Sequence, residues 1–405
     1  MPFSDLRATV LDPGLCAGCG ACEMVCPPGI LVMDPLQPRL REDAGGCGGC
    51  GDCLDVCPGL DPGTPAAELA LFGRTREPAE RWLGVVARST AAYARDETIR
   101  RRGASGGTAT TLLAAAMRSL ELDAVVVAGR DPDRPWLARS AVCTEPGELV
   151  EHAQSTYQLF PHLAALRTVF AEHPSWRVGI TGLACHVQAI RKLQRLDTEW
   201  GRRIRRQLVF TLEIACSSNT RPSGTETLLT DVVGVALERV AELRFREGEY
   251  PGQVSVHTVD GEVLTLPFWR LVRHFKDHKT HRCLSCGDWM SGLADVSVCD
   301  GDPDIFQTSQ GGEARYEAHA MVLARTAVGE RVLDWAVEHD ALRAWPAVLA
   351  DVNLGLDRKR NRRAHYESLG CPLPHAPIPG HVESCEVVPD DVLIPEVAPA
   401  LGHAG

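Results

Sequence analysis

The sequence lacks any apolar run long enough to cross a membrane. Hydrophobic residues make up 44% of the 405 residues, but no stretch approaches the roughly 20 consecutive apolar residues that a transmembrane helix needs. The first residues also lack the charged segment and the apolar core of a secretory signal peptide. These two absences predict a cytoplasmic protein without a membrane partner, in which thiols stay reduced.

A surplus of basic residues is also missing. The chain has 42 Lys and Arg against 53 Asp and Glu, which gives a net charge of −11. A nucleic-acid-binding protein would present a basic stripe, and only two short arginine runs, at residues 202–206 and 358–363, depart from the mixed pattern. Such runs are typical of solvated helix faces. The composition therefore argues against a nucleic-acid partner.

Cysteine, by contrast, is abundant. The chain has 16 Cys, and in a reducing compartment that number indicates metal ligands rather than disulfides. Half of them lie near the N-terminus in two runs of the same spacing, each followed by proline. The runs are Cys16-x-x-Cys19-x-x-Cys22-x-x-x-Cys26-Pro27 and Cys47-x-x-Cys50-x-x-Cys53-x-x-x-Cys57-Pro58.

This spacing is that of a ferredoxin with two [4Fe–4S] clusters. Three thiolates come from one tight turn, and the last Cys of each run ligates the other cluster. A pair of structural zinc sites would explain the CxxC pairs, but not two full runs with a trailing proline. The expected ligands are Cys16, Cys19, Cys22 and Cys57 for cluster one, and Cys47, Cys50, Cys53 and Cys26 for cluster two.

The rest of the chain alternates between strand and helix patterns. Residues 124–128 form an apolar run typical of a buried parallel strand, and residues 107–120 follow a helical pattern. Alternating units of this kind predict an α/β core. The other expected elements are strands over 177–181 and 208–214, a helix over 185–196, and an antiparallel hairpin within 254–266 that turns at Asp260-Gly261.

Several short segments follow one another in this region. They are Ala104-Ser105-Gly106-Gly107-Thr108, Ser155-Thr156-Tyr157, Thr181-Gly182-Leu183-Ala184-Cys185-His186, Glu213-Ile214-Ala215-Cys216, Cys283-Leu284-Ser285-Cys286-Gly287-Asp288 and Ala294-Asp295-Val296-Ser297-Val298-Cys299-Asp300. In this order they resemble the beta-subunit family of coenzyme F420-reducing hydrogenases and dehydrogenases, which includes the plant 7-hydroxymethyl chlorophyll a reductases. The resemblance covers about residues 84–370.

The resemblance implies an α+β chain, in which a small two-cluster ferredoxin-like module precedes an α/β flavin-binding core with an antiparallel addition. The expected divisions are a ferredoxin-type domain at 1–62, a linker at 63–83, a flavin-binding part at 84–170, a part with further cysteines at 171–370, and a proline-rich tail at 371–405.

The resemblance also implies FAD and a third [4Fe–4S] cluster. The expected flavin-pocket residues are Ser105, Gly106, Gly107, Thr108, Ser155 and Tyr157, and the expected third-cluster ligands are Cys185, Cys216, Cys283 and Cys286. A glycine turn with a serine cap explains the first of these segments equally well. Buried free cysteines or a zinc site remain alternatives for the four thiols. Cys143, Cys371 and Cys385 match nothing in the pattern.

His278, Lys279 and Asp288 are the candidate catalytic residues, because they lie beside the Cys283 motif or on a family acidic position. Further histidines, His186, His274 and His281, are possible proton donors. Solvent-facing histidines and capping or salt-bridged Asp288 and Asp295 are the plainer alternatives. Three positions depart from the family pattern: Ala184 stands where Pro is usual, His186 where Gln is usual, and Cys299 where Gly is usual.

The expected function is an iron–sulfur flavoprotein oxidoreductase. It would couple one-electron transfer through [4Fe–4S] clusters to two-electron chemistry at FAD, with coenzyme F420 as the hydride partner. One alternative is a ferredoxin-dependent reductase of an organic substrate, such as an allylic alcohol or an enone. Another is an electron-transfer subunit of a larger dehydrogenase complex with a redox partner subunit. A ferredoxin fused to a non-redox binding domain is a fourth possibility.

Overall fold

A computed structural model of the chain describes residues 2–59, 61–80, 82–280, 282–283, 286–302, 305–310 and 317–349. His281, the arginine run at 358–363, Cys371, Cys385 and the proline-rich tail lie outside the described residues. None of the helices within these ranges has both the length and the apolar character to cross a membrane.

The N-terminal module is built from short elements that bracket the cysteine runs. A π-helical turn over Arg7–Leu11 follows its first helix, and the thiol-bearing loops lie between the elements. Helix α4 (Thr64–Phe72) then leads into the large domain. The module contains α1 (Pro2–Leu6), α2 (Ala21–Val25) and α3 (Asp52–Asp55), and an antiparallel hairpin of β1 (Leu31–Asp34) and β2 (Gln37–Leu40).

The large domain alternates strands and helices. Its strands are β3 (Arg88–Ala94), β4 (Ala124–Arg130), β5 (Ala138–Cys143), β6 (Val178–Gly182), β7 (Leu208–Ile214), β8 (Val240–Glu247), β9 (Gln253–Thr258), β10 (Val263–Pro267), β11 (Val296–Asp300), β12 (Ala320–Ala324) and β13 (Leu342–Pro346). Its helices are α5 (Glu97–Arg102), α6 (Thr108–Ser119), α7 (Ala165–Glu172), α8 (Ala184–Arg195), α9 (Glu199–Gln207), α10 (Pro222–Thr227), α11 (Phe268–Phe275), α12 (Ile305–Ser309) and α13 (Ala327–Glu338).

A mixed sheet forms the centre of this domain, with eight strands among the described residues in the order β13-β3-β12-β11-β7-β6-β4-β5. The middle strands β11, β7, β6 and β4 run parallel, and the strands on either side pair antiparallel. Alternate residues of a strand face opposite sides of a sheet. Accordingly Val125 and Val127 pack into one core with α6 and α13, while Val126 packs into the other with α7 and α8.

The predicted elements are confirmed to within a residue or two at most ends. The apolar run at 124–128 lies in β4, and the helical pattern at 107–120 is α6. The hairpin also forms, with β9 and β10 paired antiparallel across Asp260-Gly261. Strand β8 pairs with β9 and completes a separate three-stranded sheet. The predicted antiparallel addition is therefore a small sheet of its own.

The module packs directly onto the helical face formed by α7 and α8. Met24, Val25 and Val56 are buried in the same apolar core as Phe170 and Ile190. Apolar burial of this kind stabilises the contact by about 25 cal/mol per Å² removed from water. The module is therefore held by a shared core and is not merely tethered through its linker.

Polar contacts fix the orientation of the module. The Arg167 guanidinium donates to the carbonyl oxygens of Met24 at 2.9 Å and Cys26 at 2.6 Å. The Lys192 ammonium, on α8, donates to the carbonyl of Cys57 at 2.8 Å. Gly20 adopts φ +83° and lies so close to the large domain that a Cβ there would be 2.8 Å from the Ala164 nitrogen. Only glycine suits both that backbone conformation and that approach.

Candidate redox site

The four thiols expected for cluster one come together. Burial raises the pKa of Cys16 to about 12, and the neighbouring Cys19 and Cys57 thiols add to the rise. Burial also raises the pKa of Cys22 far above its ordinary value, with Cys16, Cys19 and Cys57 among its neighbours. Backbone N–H groups point at two of the sulfurs: Gly18 donates to Cys16 Sγ at 3.4 Å and Gly59 to Cys57 Sγ at 3.3 Å. Donors of this kind suit thiolates that hold a cluster.

The four thiols expected for cluster two also form one group, closer to solvent. Burial raises the pKa of Cys53 to about 12, and the thiols of Cys47, Cys50 and Cys26 are among its electrostatic neighbours. Cys50 is exposed and Cys47 is half-buried. A Cβ at Gly48 or Gly51 would have no atom within 4 Å. Cluster two would therefore lie at the outer end of the module.

The four further cysteines converge from separate elements of the large domain. Cys185 is in the first turn of α8, and Cys216 follows β7. Burial raises the pKa of Cys185 well above its ordinary value, and the thiols of Cys19, Cys216 and Cys283 raise it further. Cys286 Sγ accepts from the Asp288 N–H at 3.4 Å. These four cysteines, the third thiol set, are the ligands that the family resemblance predicts for a third cluster.

The first and third thiol sets are adjacent. Cys19 lies in the apolar core of α7 and α8, and Cys185 packs against that same core. Cys19 is also fixed to the large domain, because the Leu163 N–H donates to its carbonyl at 2.9 Å. Within the described residues no three His, Cys, Asp or Glu side chains gather closely enough to hold a single metal ion. A [4Fe–4S] cubane is larger than one ion, and its four thiolates stand correspondingly further apart.

A cavity of about 420 Å³ opens at the carboxyl ends of the parallel strands. Its wall includes Val127 and Ala128 of β4 and the last residues of β6, β7 and β11, and such strand ends are where ligands bind in open α/β sheets. The volume lies within the range of about 300–1,000 Å³ that small-molecule and cofactor sites occupy. Among the predicted residues, the wall contains Ser105, Gly107, Thr108, Ser155, Tyr157, Lys279 and the third-set ligand Cys216.

The glycine turn before α6 lines the cavity, but its side chains are engaged within the protein. Ser105 Oγ donates to Asp300 Oδ2 at 2.6 Å, and Thr108 Oγ1 donates to the Ala92 carbonyl at 2.7 Å. Gly106 has φ +74°, and a Cβ there would be 2.5 Å from the Ala318 carbonyl oxygen. The turn therefore offers the cavity its backbone, while its hydroxyl groups hold the turn against the sheet.

The predicted Ser-x-Tyr segment crosses the opposite wall. Ser155 borders the cavity directly. The Tyr157 ring packs edge-on against Phe245, with centroids 5.6 Å apart, and lies 5.9 Å from Phe268. The aromatic contacts anchor this wall to the small three-stranded sheet.

The structure separates the three candidate catalytic residues. Lys279 is 5% exposed and borders the cavity. His278 is not among the described wall residues; it lies beside His274 and contacts Thr227 Oγ1 at 3.3 Å. Burial lowers the pKa of His278, and the charge of His274 lowers it further. Asp288 is also absent from that wall, and its carboxylate accepts from Gln188 Nε2 at 3.0 Å.

The wall contains polar residues that sequence reasoning missed. Arg246 bonds to Asp300 at 2.8 Å, and its Nη2 is buried without a hydrogen-bond partner among the described residues. Gln154 Oε1 is buried and unpartnered in the same sense. Arg246 lies on strand β8 and Gln154 lies in a loop, and neither residue is part of a predicted motif. Both residues line the cavity.

Two buried histidines also border the cavity. Burial lowers the pKa of His162 to about 4 and that of His186 to about 3, so both rings are neutral at pH 7. His186 Nδ1 accepts from the Leu183 N–H at 3.1 Å, which leaves the ring proton on Nε2. The sequence suggests His186 as a possible proton donor, whereas no sequence signal marks His162. Asp295 is structural: it accepts from Thr211 and Thr326.

Comparisons with known proteins bear on this arrangement. Models described as coenzyme F420 hydrogenase/dehydrogenase beta subunit match residues 89–167 with the N-terminal part and residues 176–348 with the C-terminal part. A 4Fe-4S dicluster domain matches residues 15–59. The chain belongs to the coenzyme F420 hydrogenase/dehydrogenase beta-subunit family. This beta-subunit family member is therefore an iron–sulfur protein of an oxidoreductase family.

This chain is similar in sequence to several proteins of the beta-subunit family. Coenzyme F420 hydrogenase subunit beta of Methanosarcina barkeri is 26% identical over 69% of this chain and 88% of its own length. The coenzyme F420-dependent sulfite reductase of Methanocaldococcus jannaschii is 26% identical over 74% of this chain and 44% of its own. The 7-hydroxymethyl chlorophyll a reductase of Oryza sativa is 25% identical over 47% of this chain and 38% of its own.

A solved structure supports the fold of this family member. A chain of the F420-reducing [NiFe] hydrogenase complex from Methanosarcina barkeri aligns with a TM-score of 0.55 at 21% identity. The alignment covers 76% of this chain and 99% of the other. At this identity the likeness shows a shared fold.

Proposed function

We propose that this chain is an iron–sulfur flavoprotein oxidoreductase with coenzyme F420 as its hydride partner. One observation carries the proposal: Cys216 belongs to the third thiol set and also lines the cavity. A cluster held by that set would border directly on whatever the cavity binds. Such contact is what a protein needs to exchange single electrons between a cluster and an organic cofactor.

The residues of the cavity fit FAD. Arg246 Nη2 and Gln154 Oε1 supply a buried donor and a buried acceptor, and the His186 ring has its remaining proton on the wall. Apolar residues such as Leu113, Val127 and Phe268 complete the wall. A mostly apolar cleft with a few fixed polar groups is typical of a cofactor site. FAD, when bound, exchanges hydride with its substrate and single electrons with clusters.

The thiol sets lie in an order that suits an electron route. The cluster-two set is at the outer end, where Cys50 is exposed. The cluster-one set is next, and its Cys19 shares a core with Cys185 of the third set. The third set reaches the cavity through Cys216. A redox partner subunit or ferredoxin would therefore exchange electrons at the outer end, and F420 would meet the flavin at the inner end.

The chain's own residues have assignable tasks in this scheme. Lys279 is the candidate catalytic residue that borders the cavity, where it would contact a bound ligand. Its ammonium would orient an anionic part of the ligand. His278 and Asp288 would act only from behind the wall.

One relative favours a second candidate, a ferredoxin-dependent reductase of another substrate. The 7-hydroxymethyl chlorophyll a reductase contains a region similar to this chain. In that case electrons would enter at the outer cluster and leave through the flavin to an organic substrate such as an allylic alcohol or an enone. The direction of flow is then reversed, while the residues involved stay the same.

Anaerobic purification and reconstitution test the proposal. We expect about twelve irons and one flavin per chain, from three [4Fe–4S] clusters and one FAD. Cys216→Ser should lose about four of those irons, whereas Cys143→Ala, a buried cysteine remote from the three sets, should lose none. Reduced F420 should bleach the flavin. Protein that holds zinc, or holds no flavin, contradicts the proposal; bleaching by reduced ferredoxin but not by F420 supports the second candidate.

A further inference from the structure

One buried cation interacts with members of both the first and the third thiol sets. Arg282 directly precedes Cys283, is 2% exposed, and is among the largest fully buried side chains of the described residues. A guanidinium taken out of water is costly unless negative charge compensates it. The site therefore needs negative charge close to Arg282.

The groups that interact electrostatically with Arg282 belong to both cluster sites. The cluster-one thiols Cys16 and Cys19 have it as a neighbour. The third-set thiols Cys185, Cys283 and Cys286 and the Asp288 carboxylate also interact with it. Thiolates holding clusters would supply the negative charge that the burial of Arg282 demands.

Packing places the first and third thiol sets next to each other. Cys19 and Cys185 contribute to one apolar core, and the Leu163 N–H fixes the Cys19 carbonyl at 2.9 Å. On the third-set side, the Cys216 N–H donates to the Trp289 carbonyl at 2.9 Å. A charge that interacts with both sets therefore acts on two neighbouring sites whose backbone is held by hydrogen bonds.

We infer that Arg282 is a shared electrostatic positioning residue, which raises the reduction potentials of cluster one and the third cluster but not that of cluster two. A cluster held by four thiolates gains one negative charge on reduction, and a fixed positive charge nearby stabilises that state. The effect is strong because the guanidinium is buried, where charges are poorly screened. The inference rests on the proposed function, since it presumes both clusters.

Cluster two provides an internal control. The electrostatic neighbours of Cys53 include Cys47, Cys50 and Cys26, and Arg282 is not among its main ones. The exposed Cys50 also lets solvent screen that end. A general loosening of the protein would disturb all three clusters, whereas a charge effect would be confined to two.

Redox titration of anaerobic protein, followed by electron paramagnetic resonance, tests the inference. In Arg282→Gln, the reduction equilibria of cluster one and of the third cluster should each shift about tenfold toward the oxidised form. For a one-electron couple this shift is about 59 mV. The reduction potential of cluster two should not change. Arg282→Lys retains the charge and should restore most of the shift. Arg325→Gln is the control. It removes another buried arginine, which is 3% exposed and whose main electrostatic neighbours are not in the thiol sets, so the potentials of all three clusters should stay unchanged.

Iron content separates this inference from the proposed function. If the unaltered protein lacks the four irons of the third cluster, the proposed function fails. The shift of the cluster-one potential in Arg282→Gln then tests the role of Arg282 alone. If Arg282→Gln itself loses the third cluster, the cluster-one potential again decides. Full iron with unchanged potentials in Arg282→Gln, or an equal shift of all three clusters, overturns the inference.

Discussion

The N-terminal module and the large domain build their thiol sets in opposite ways. In the module, each set takes three cysteines from one turn and a fourth from the other run. In the large domain, Cys185 and Cys216 come from the ends of different strand–helix units, and Cys283 lies more than 60 residues further along. The first arrangement is local and visible as spacing. The second exists only once the sheet has aligned its strand ends.

The difference has a consequence for stability and for electron flow. A local set folds with its own loop, whereas a dispersed set depends on the packing of the whole domain. The two meet where Cys19 and Cys185 share a core. Substitutions at that junction therefore test most directly whether the two regions work together.

The largest effect is expected from removing a cluster-one ligand at the junction. Cys19→Ser should lose about four irons per chain and should abolish electron exchange between the cavity and an external partner. The flavin should still be reduced by F420, because the cavity is built by the large domain. Iron analysis and flavin absorbance check this. Undiminished electron exchange with an external acceptor would show that cluster one is not on the route.

The next largest effect concerns the close approach of the two regions. Gly20→Ala places a Cβ 2.8 Å from the Ala164 nitrogen at φ +83°, so it should cost more than the roughly 1–3 kcal/mol of backbone strain alone. Gly51→Ala is the matched control: it has φ +92° but no atom within 4 Å of its Cβ. Anaerobic thermal unfolding should rank Gly20→Ala clearly below Gly51→Ala. Equal losses would mean that the module is not tightly docked.

A smaller effect concerns pH and the large domain alone. The pKa of buried His162 is lowered to about 4, so the unfolded chain binds its proton first as the pH falls. Stability is therefore lost below about pH 6.5, by about 2 kcal/mol at pH 5 from this residue. Denaturant unfolding at pH 7 and pH 5 should show a smaller difference in His162→Gln. An identical pH dependence in the variant would show that His162 is not buried in neutral form.

The smallest effect separates the candidate catalytic residues. Lys279→Met should weaken binding of the cavity ligand about tenfold, since a charged hydrogen bond contributes about 1.5–3 kcal/mol. His278→Gln, one residue away but not among the described wall residues, is the control and should bind normally. Titration of flavin-depleted anaerobic protein with FAD, followed by flavin fluorescence, measures both. Equal weakening in the two variants would refute the distinction.

Sequence reasoning reached what spacing and periodicity encode. The cysteine runs, strand β4, helix α6 and the hairpin at Asp260-Gly261 all follow from local patterns, and the structure contains each of them. These features need no knowledge of strand order, because the chemistry or turn geometry is contained within a few residues.

The cavity wall could be predicted only in part. Arg246 reaches it from β8, outside every predicted motif, whereas Gln154 reaches it from the loop directly before the predicted Ser155. Lys279 and His278 are neighbours in sequence, yet Lys279 follows a 3₁₀ turn in extended backbone and only it borders the cavity. Which side chain of such a pair faces a site depends on local backbone direction, which residue identity does not reveal.

Rapid anaerobic mixing with reduced F420, followed by freezing and paramagnetic resonance, tests the central claim that the cavity and the three thiol sets form one electron route. The account predicts that the flavin is reduced first and that signals of reduced [4Fe–4S] clusters then appear within the same turnover. In Cys216→Ser the flavin should be reduced while those signals stay absent. Flavin reduction with no cluster signal in the unaltered protein would contradict the account.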